Sequence, residues 1–271
     1  MAKTKKNMSS LKKRTLAALV MLPVVIGVVY AGYPLTDMLV LLVGSALAWE
    51  WARMTAKNNH DVYVLSYLLS LVASTLIYNT PMTVAFIAAL TLFVWLVAKG
   101  EKRRLLITLG VVYISVGVGA LLWLYYLIGK YGLMWYIIVV CGVDIGGYIV
   151  GSNLKGPKLA PKISPNKTWS GLIGGVTLSA VLSVAYIATL DMIANQNSDI
   201  KDKLLFAAIA AVIAIIAQIG DLVESAIKRK VGVKDSSRLI PGHGGVFDRI
   251  DGMIFAAPFA YLFFALFFGL I

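Results

Sequence analysis

Runs of about 20 apolar residues, the length a helix needs to cross a hydrocarbon core, alternate along the chain with polar connections. Nine such runs recur, at roughly 15–33, 36–51, 62–78, 81–99, 105–128, 132–151, 170–190, 204–223 and 252–271. The pattern predicts an all-α integral membrane protein, a multi-pass bundle of about nine transmembrane helices. A cleaved signal peptide over residues 1–33 is the rival reading of the first run, but the run is long for a signal core and eight more follow.

Composition agrees with a lipid solvent. Apolar residues make up 59% of the 271 and charged residues only 14%, and the mean hydropathy is +0.83. The connections fix an orientation, because cytoplasmic loops carry excess Lys and Arg. With the N-terminus inside, 22 of the 25 cations fall on that side, and only Lys130, Lys201 and Lys203 fall outside. The expectation is a cytoplasmic N-terminus and an outside C-terminus. A missed or invented span would scramble this asymmetry, so it also supports the count of nine. The net charge of +12 follows from the same bias and from attraction to anionic membrane lipids; it calls for no nucleic acid. Cys141 is the one cysteine, so no internal disulfide can form.

Three regions are expected: a basic cytoplasmic tail (1–14), an N-terminal transmembrane scaffold (15–130) and a C-terminal transmembrane catalytic region (131–271). The scaffold has short turns and few acids, at Asp37, Glu50, Asp61 and Glu101. In the catalytic region two long connections, roughly 152–169 and 224–251, fall on the cation-rich side and mix Gly, Pro and charge. Long loops in compact proteins are often functional.

Several polar residues are costly where they stand. Asp144 lies inside the sixth run, where a carboxylate usually faces a cavity; a neighbouring lysine or backbone amide could equally satisfy it. Gln218, Asp221, Ser225 and Lys228 recur at three- and four-residue steps, so they share one helix face with Glu224 beside them. Snorkelling at a helix end explains Lys228 and Arg229 but explains Asp221 poorly. The segment PGHGG is too glycine-rich for helix and offers N–H groups that can approach an anion. After it, Asp248 and Asp251 stand three apart at the start of the last helix. Paired carboxylates with cations nearby suit Mg2+ and phosphate, whereas two histidines and one cysteine make a zinc site a poor fit. The first loop carries Lys155, Lys158, Lys162 and Lys167 with no acid. It could simply hold lipid headgroups, but beside Asp221, Asp248 and Asp251 a polyphosphate and its metal account for it better.

These residues also carry a resemblance. The stretch 225–251 resembles the signature of phosphatidate cytidylyltransferases, the CDP-diacylglycerol synthases: S-x-x-K-R, four residues, K-D, a spacer, then P-G-H-G-G-x-x-D-R-x-D. Ser225, Lys228, Arg229, Lys234, Asp235, Pro241, Gly242, His243, Gly244, Gly245, Asp248, Arg249 and Asp251 all fit it. A second stretch, D-x-G-A-Y then S-P-K-K-T-W-E-G, matches Asp144, Gly146, Tyr148, Ser164, Pro165, Lys167, Thr168, Trp169 and Gly171. Gly147, Asn166 and Ser170 depart from it, and the last removes a carboxylate, so Ser170 receives no catalytic role.

The resemblance implies transfer of CMP from CTP to phosphatidic acid, with Asp221 and Asp248 as metal-binding aspartates for Mg2+ and room for a second cation. Asp144 and Asp251 are expected to support them. Lys167, Lys228, Arg229, Lys234 and Arg249 are expected to bind phosphate, Ser225 to stand with the nucleotide binders, and His243 with Gly244 and Gly245 to contact nucleotide or pyrophosphate. The expected place is a bacterial inner membrane, with a cytoplasmic-facing active site and a homodimer as a further expectation. An ion transporter built on Asp144 and Asp221 is the rival from another class, but a path across the membrane should leave polar residues at both ends. A CTP-dependent lipid kinase or an enzyme consuming CDP-diacylglycerol is the other.

Overall fold

The computed structural model describes residues 21, 23–76, 81–240 and 244–270. The basic tail, the Pro241–His243 part of the glycine-rich segment and Ile271 lie outside the described residues. Six of the described helices are long and apolar enough to cross a membrane, so the architecture is that of an all-α membrane protein. A short helical stretch, α1 (23–31), precedes α2 (Leu35–Thr55), α3 (His60–Leu76), α4 (Pro81–Val97) and α5 (Arg104–Leu154). A hairpin of β1 (Lys158–Ala160) and β2 (Ser164–Thr168) follows, then α6 (Trp169–Ala194), α7 (Ile200–Val231) and α8 (Phe247–Phe267).

Helix α5 takes in two of the predicted runs, 105–128 and 132–151. As one straight helix its 51 residues would span about 77 Å, more than twice a bilayer core of about 30 Å. It is interrupted at Gly129, with φ 68 and ψ −178, a backbone conformation that only glycine adopts without cost. The loop expected over 152–169 contains the antiparallel hairpin, with Lys158 paired to Thr168 and Ala160 to Ser164.

The chain divides into two compact bodies. The first runs through Tyr126 and takes in Lys230–Ile250; the second comprises Leu127–Arg229 and Asp251–Ile271.

In the first body, close approach of helices at small residues replaces the hydrophobic driving force that lipid abolishes. A Cβ on Gly110 would strike the Trp51 indole and the Tyr67 ring, and one on Gly44 would strike Leu71. Buried polar groups are paired across these seams: Trp51 Nε1 donates to Leu106 O at 3.0 Å, Tyr67 OH to Ile107 O at 2.7 Å and Trp123 Nε1 to Ser74 O at 2.8 Å. Phe247 is buried against Trp51 and Tyr113, with ring centroids 5.5 and 5.8 Å away.

In the second body a glycine seam joins α5 to α6. A Cβ on Gly146 would meet Gly174 O, one on Gly175 would meet Val143 O, and one on Gly171 would meet Gly147 O. Ser179 Oγ donates to Val139 O at 2.8 Å and Trp135 Nε1 to Ser183 Oγ at 2.8 Å. Trp135, Phe206 and Phe264 form an aromatic cluster beyond them.

Candidate active site

In the second body the polar face predicted on α7 forms around two lysines. Asp221 is paired with Lys167 Nζ, and Ser225 Oγ donates to Asp221 Oδ1 at 3.3 Å. Glu224 is fully buried, with Lys228 Nζ 2.6 Å from its Oε2. Gly252 lets α8 come against α7, since a Cβ there would lie 2.9 Å from Ala217 O, and the neighbouring Asp251 joins the group. Asp221, Glu224 and Asp251 each offer a carboxylate oxygen, all within 4.8 Å of one another. Asp144 is not buried within the protein, and its charge acts on Asp251.

Lys167 owes its place to local structure on both sides. Its neighbour Thr168 pairs with Lys158 as the last residue of β2, and the same Thr168 caps α6 by accepting from Gly171 N at 3.1 Å. A threonine that ends a strand and caps a helix leaves little freedom for the residue before it. Arg229 is exposed and donates through Nε to Ile163 O at 3.4 Å.

Such a donor set fits Mg2+. Hard oxygen ligands on one or two carboxylates, completed by substrate phosphates, are what that ion takes. Among the described residues this trio is the one group of three or more acidic, histidine or cysteine ligands close enough to share an ion. Sequence reasoning noted Glu224 beside the polar face and gave it no role; its spacing three after Asp221 was the signal.

The first body holds the remaining predicted residues. Ile240 N donates to Gly244 O at 2.8 Å. Gly244 has φ +87, a conformation suited to glycine. Asp248, in the first turn of α8, accepts from Gly245 N at 2.8 Å, Ser236 N at 3.0 Å and Ser236 Oγ at 3.1 Å. The anion met by the Gly245 N–H is therefore a carboxylate of the chain itself. Lys234 and Arg249 are exposed, and His243 lies outside the described residues.

Glu50 was missed entirely. It is fully buried, and its partners are residues 236, 237, 246 and 247, far along the chain. No local pattern could have signalled this.

The chain belongs to the cytidylyltransferase family, whose profile matches residues 12–267. It is similar to the phosphatidate cytidylyltransferase of Brucella suis biovar 1, with 33% identity over 268 residues that cover 96% of this chain and 95% of the relative. The phosphatidate cytidylyltransferase of Rickettsia conorii is 30% identical over 257 residues, covering 95% and 92%. That of Rickettsia bellii is 44% identical over 134 residues, 49% of this chain and 58% of the relative.

Proposed function

We propose that the protein is a phosphatidate cytidylyltransferase that makes CDP-diacylglycerol and pyrophosphate from CTP and phosphatidic acid. The observation that carries this reading is the gathering of Asp221, Glu224 and Asp251 within 4.8 Å, with Lys167 and Lys228 paired to two of them, in a chain of the cytidylyltransferase family.

In the reaction a phosphate oxygen of phosphatidic acid attacks the α-phosphorus of CTP. The new P–O bond forms as the bond to the pyrophosphate leaving group breaks, so CMP passes to the lipid. Two anions must meet, and the protein's task is to position them and offset their charge. Lys167 and Lys228 supply compact positive charges, and Arg229 a planar fork suited to phosphate. Lys234 and Arg249 are further phosphate binders on the motif resemblance, as Gly244 and His243 are nucleotide contacts; Gly245, also in the motif, gives its N–H to Asp248. Asp221 and Asp251, with Glu224, would hold Mg2+; on the motif Asp248 is also a metal-binding aspartate, and Asp144 supports them. The bound ion would neutralise phosphate oxygens as charge develops. Phosphatidate needs no strong base, because a phosphate monoester is largely dianionic near neutral pH.

Nine spans, an N-terminus in the cytoplasm and a C-terminus outside follow from the cation asymmetry. Charges in the segments 152–169 and 224–251 then face the cytoplasm of a bacterial inner membrane, where CTP is dissolved.

The test is purified protein with CTP, phosphatidic acid and varied divalent cations. A CDP-lipid and pyrophosphate in equal amounts, dependent on Mg2+, are expected. Labelled lipid carrying only phosphate would identify a lipid kinase and overturn the reading.

A further inference from the structure

We infer that Glu50 is a positioning residue for the transfer reaction: it ties Ser236 and Ser237 to the start of α8 at Val246 and Phe247 and, through Ser236, sets the orientation of the Asp248 carboxylate. This rests on the cytidylyltransferase reading and on Asp248 belonging to its machinery.

A carboxylate has about four acceptor sites, and Glu50 has four donors. Oε1 accepts from Ser237 Oγ at 2.5 Å and Val246 N at 2.9 Å; Oε2 accepts from Phe247 N at 2.8 Å and Ser236 Oγ at 3.0 Å. All four come from Ser236 and Ser237 or from the start of α8. A fully buried charge is tolerated only when so compensated, and the N–H groups of a helix N-terminus are a favourable place for an anion. Glu50 thus caps α8 from a helix some 190 residues earlier, while Trp51 beside it packs on the Phe247 ring.

The link to Asp248 is Ser236. Its hydroxyl stands 3.0 Å from Glu50 Oε2 and 3.1 Å from Asp248 Oδ2, and its N–H donates to Asp248. One hydroxyl carries one proton, so the two carboxylates share a single side-chain donor. Fixing Ser236 by Glu50 therefore fixes where Asp248 finds its partners. Gly245 belongs to the same device: a Cβ there would strike Ser236 Oγ and the Glu50 carboxylate.

A carboxylate that only held the fold together would change the amount of folded protein and leave each folded molecule's kinetics alone. The full-length protein is therefore compared with Glu50→Gln, Glu50→Asp and Ser236→Ala in lipid, with rates expressed per folded molecule. Glu50→Gln turns an NH2 donor toward protein donors. It is expected to lower kcat/KM for CTP about 10- to 100-fold and to raise the Mg2+ concentration for half-maximal rate, as loss of an orienting partner does. Glu50→Asp should recover part of the rate. Ser236→Ala keeps the bonds to Ser237, Val246 and Phe247, so its unfolding midpoint should stay near that of the parent while kcat/KM and Mg2+ dependence shift in the same direction.

Amide hydrogen exchange supplies a readout independent of turnover. Val246 and Phe247 should lose protection in Glu50→Gln, and Gly245 should lose it in both Glu50→Gln and Ser236→Ala. Should Glu50→Gln fail to fold, Ser236→Ala decides. Parent-like kinetics and unchanged Gly245 exchange in Ser236→Ala would overturn the inference. A parent protein that transfers no CMP would overturn the cytidylyltransferase reading instead, with exchange still judging the anchor.

Discussion

Lys228 Nζ lies 2.6 Å from Glu224 Oε2, one turn away on α7, and the Glu224 side chain has no exposed surface. The sequence alone makes Lys228 a snorkelling residue at a helix end, whose removal should leave stability nearly intact. The structure corrects this, because the lysine compensates a buried carboxylate. Removing one partner of a buried pair costs about 3–5 kcal/mol, since the other charge is left uncompensated. Lys228→Ala should therefore lower the unfolding midpoint clearly, and Lys228→Ala with Glu224→Gln should regain much of the loss. Arg229→Ala, at an exposed site, should change stability by no more than about 0.5 kcal/mol. Thermal unfolding in detergent and lipid checks all three.

Asp221 is expected to matter for rate rather than for insertion. Asp221→Asn keeps the shape but removes the charge that is paired with Lys167 and proposed to hold Mg2+. A loss of about 100- to 1,000-fold in kcat is expected, the scale on which a single preorganised electrostatic group acts, with partial recovery at high Mg2+. Pyrophosphate release, normalised to membrane-inserted protein, is the measurement. Near-parent turnover at low Mg2+ would remove Asp221 from the site.

The glycine seam between α5 and α6 predicts damage far from any charge. Gly175→Ala would place a methyl group against Val143 O, and overpacking of this kind costs about 1–3 kcal/mol. The unfolding midpoint should fall while the activity of the folded fraction is kept.

Topology yields a yes-or-no outcome. A reporter fused after Ile271 should behave as exported, and one fused to the N-terminus as cytoplasmic. A cytoplasmic reporter at the C-terminus of a stable fusion would reject nine spans.

Much of this was legible in the sequence because lipid imposes a simple rule: apolar runs long enough to cross it become helices. The predicted runs at 36–51, 81–99 and 170–190 correspond to α2, α4 and α6, and the gap between the runs at 105–128 and 132–151 holds Gly129, where α5 breaks. The face of Asp221, Ser225 and Lys228 was legible too, because helical spacing is local. The hairpin at 158–168 was hidden, since two prolines and three lysines mask a strand pattern. Glu50 was hidden for a different reason. As a lone acid closing an apolar run it looks like any residue reaching for headgroups, and only the folded chain supplies its four donors.

The double duty of Thr168 bears on how a substrate would be met. With Thr168 tied to β1 on one side and to the first turn of α6 on the other, the conformational entropy of bringing Lys167 to Asp221 is lost when the protein folds, not when a phosphate arrives. The lysine is thus oriented at Asp221 before any phosphate arrives, and no further ordering of the hairpin is lost when one binds.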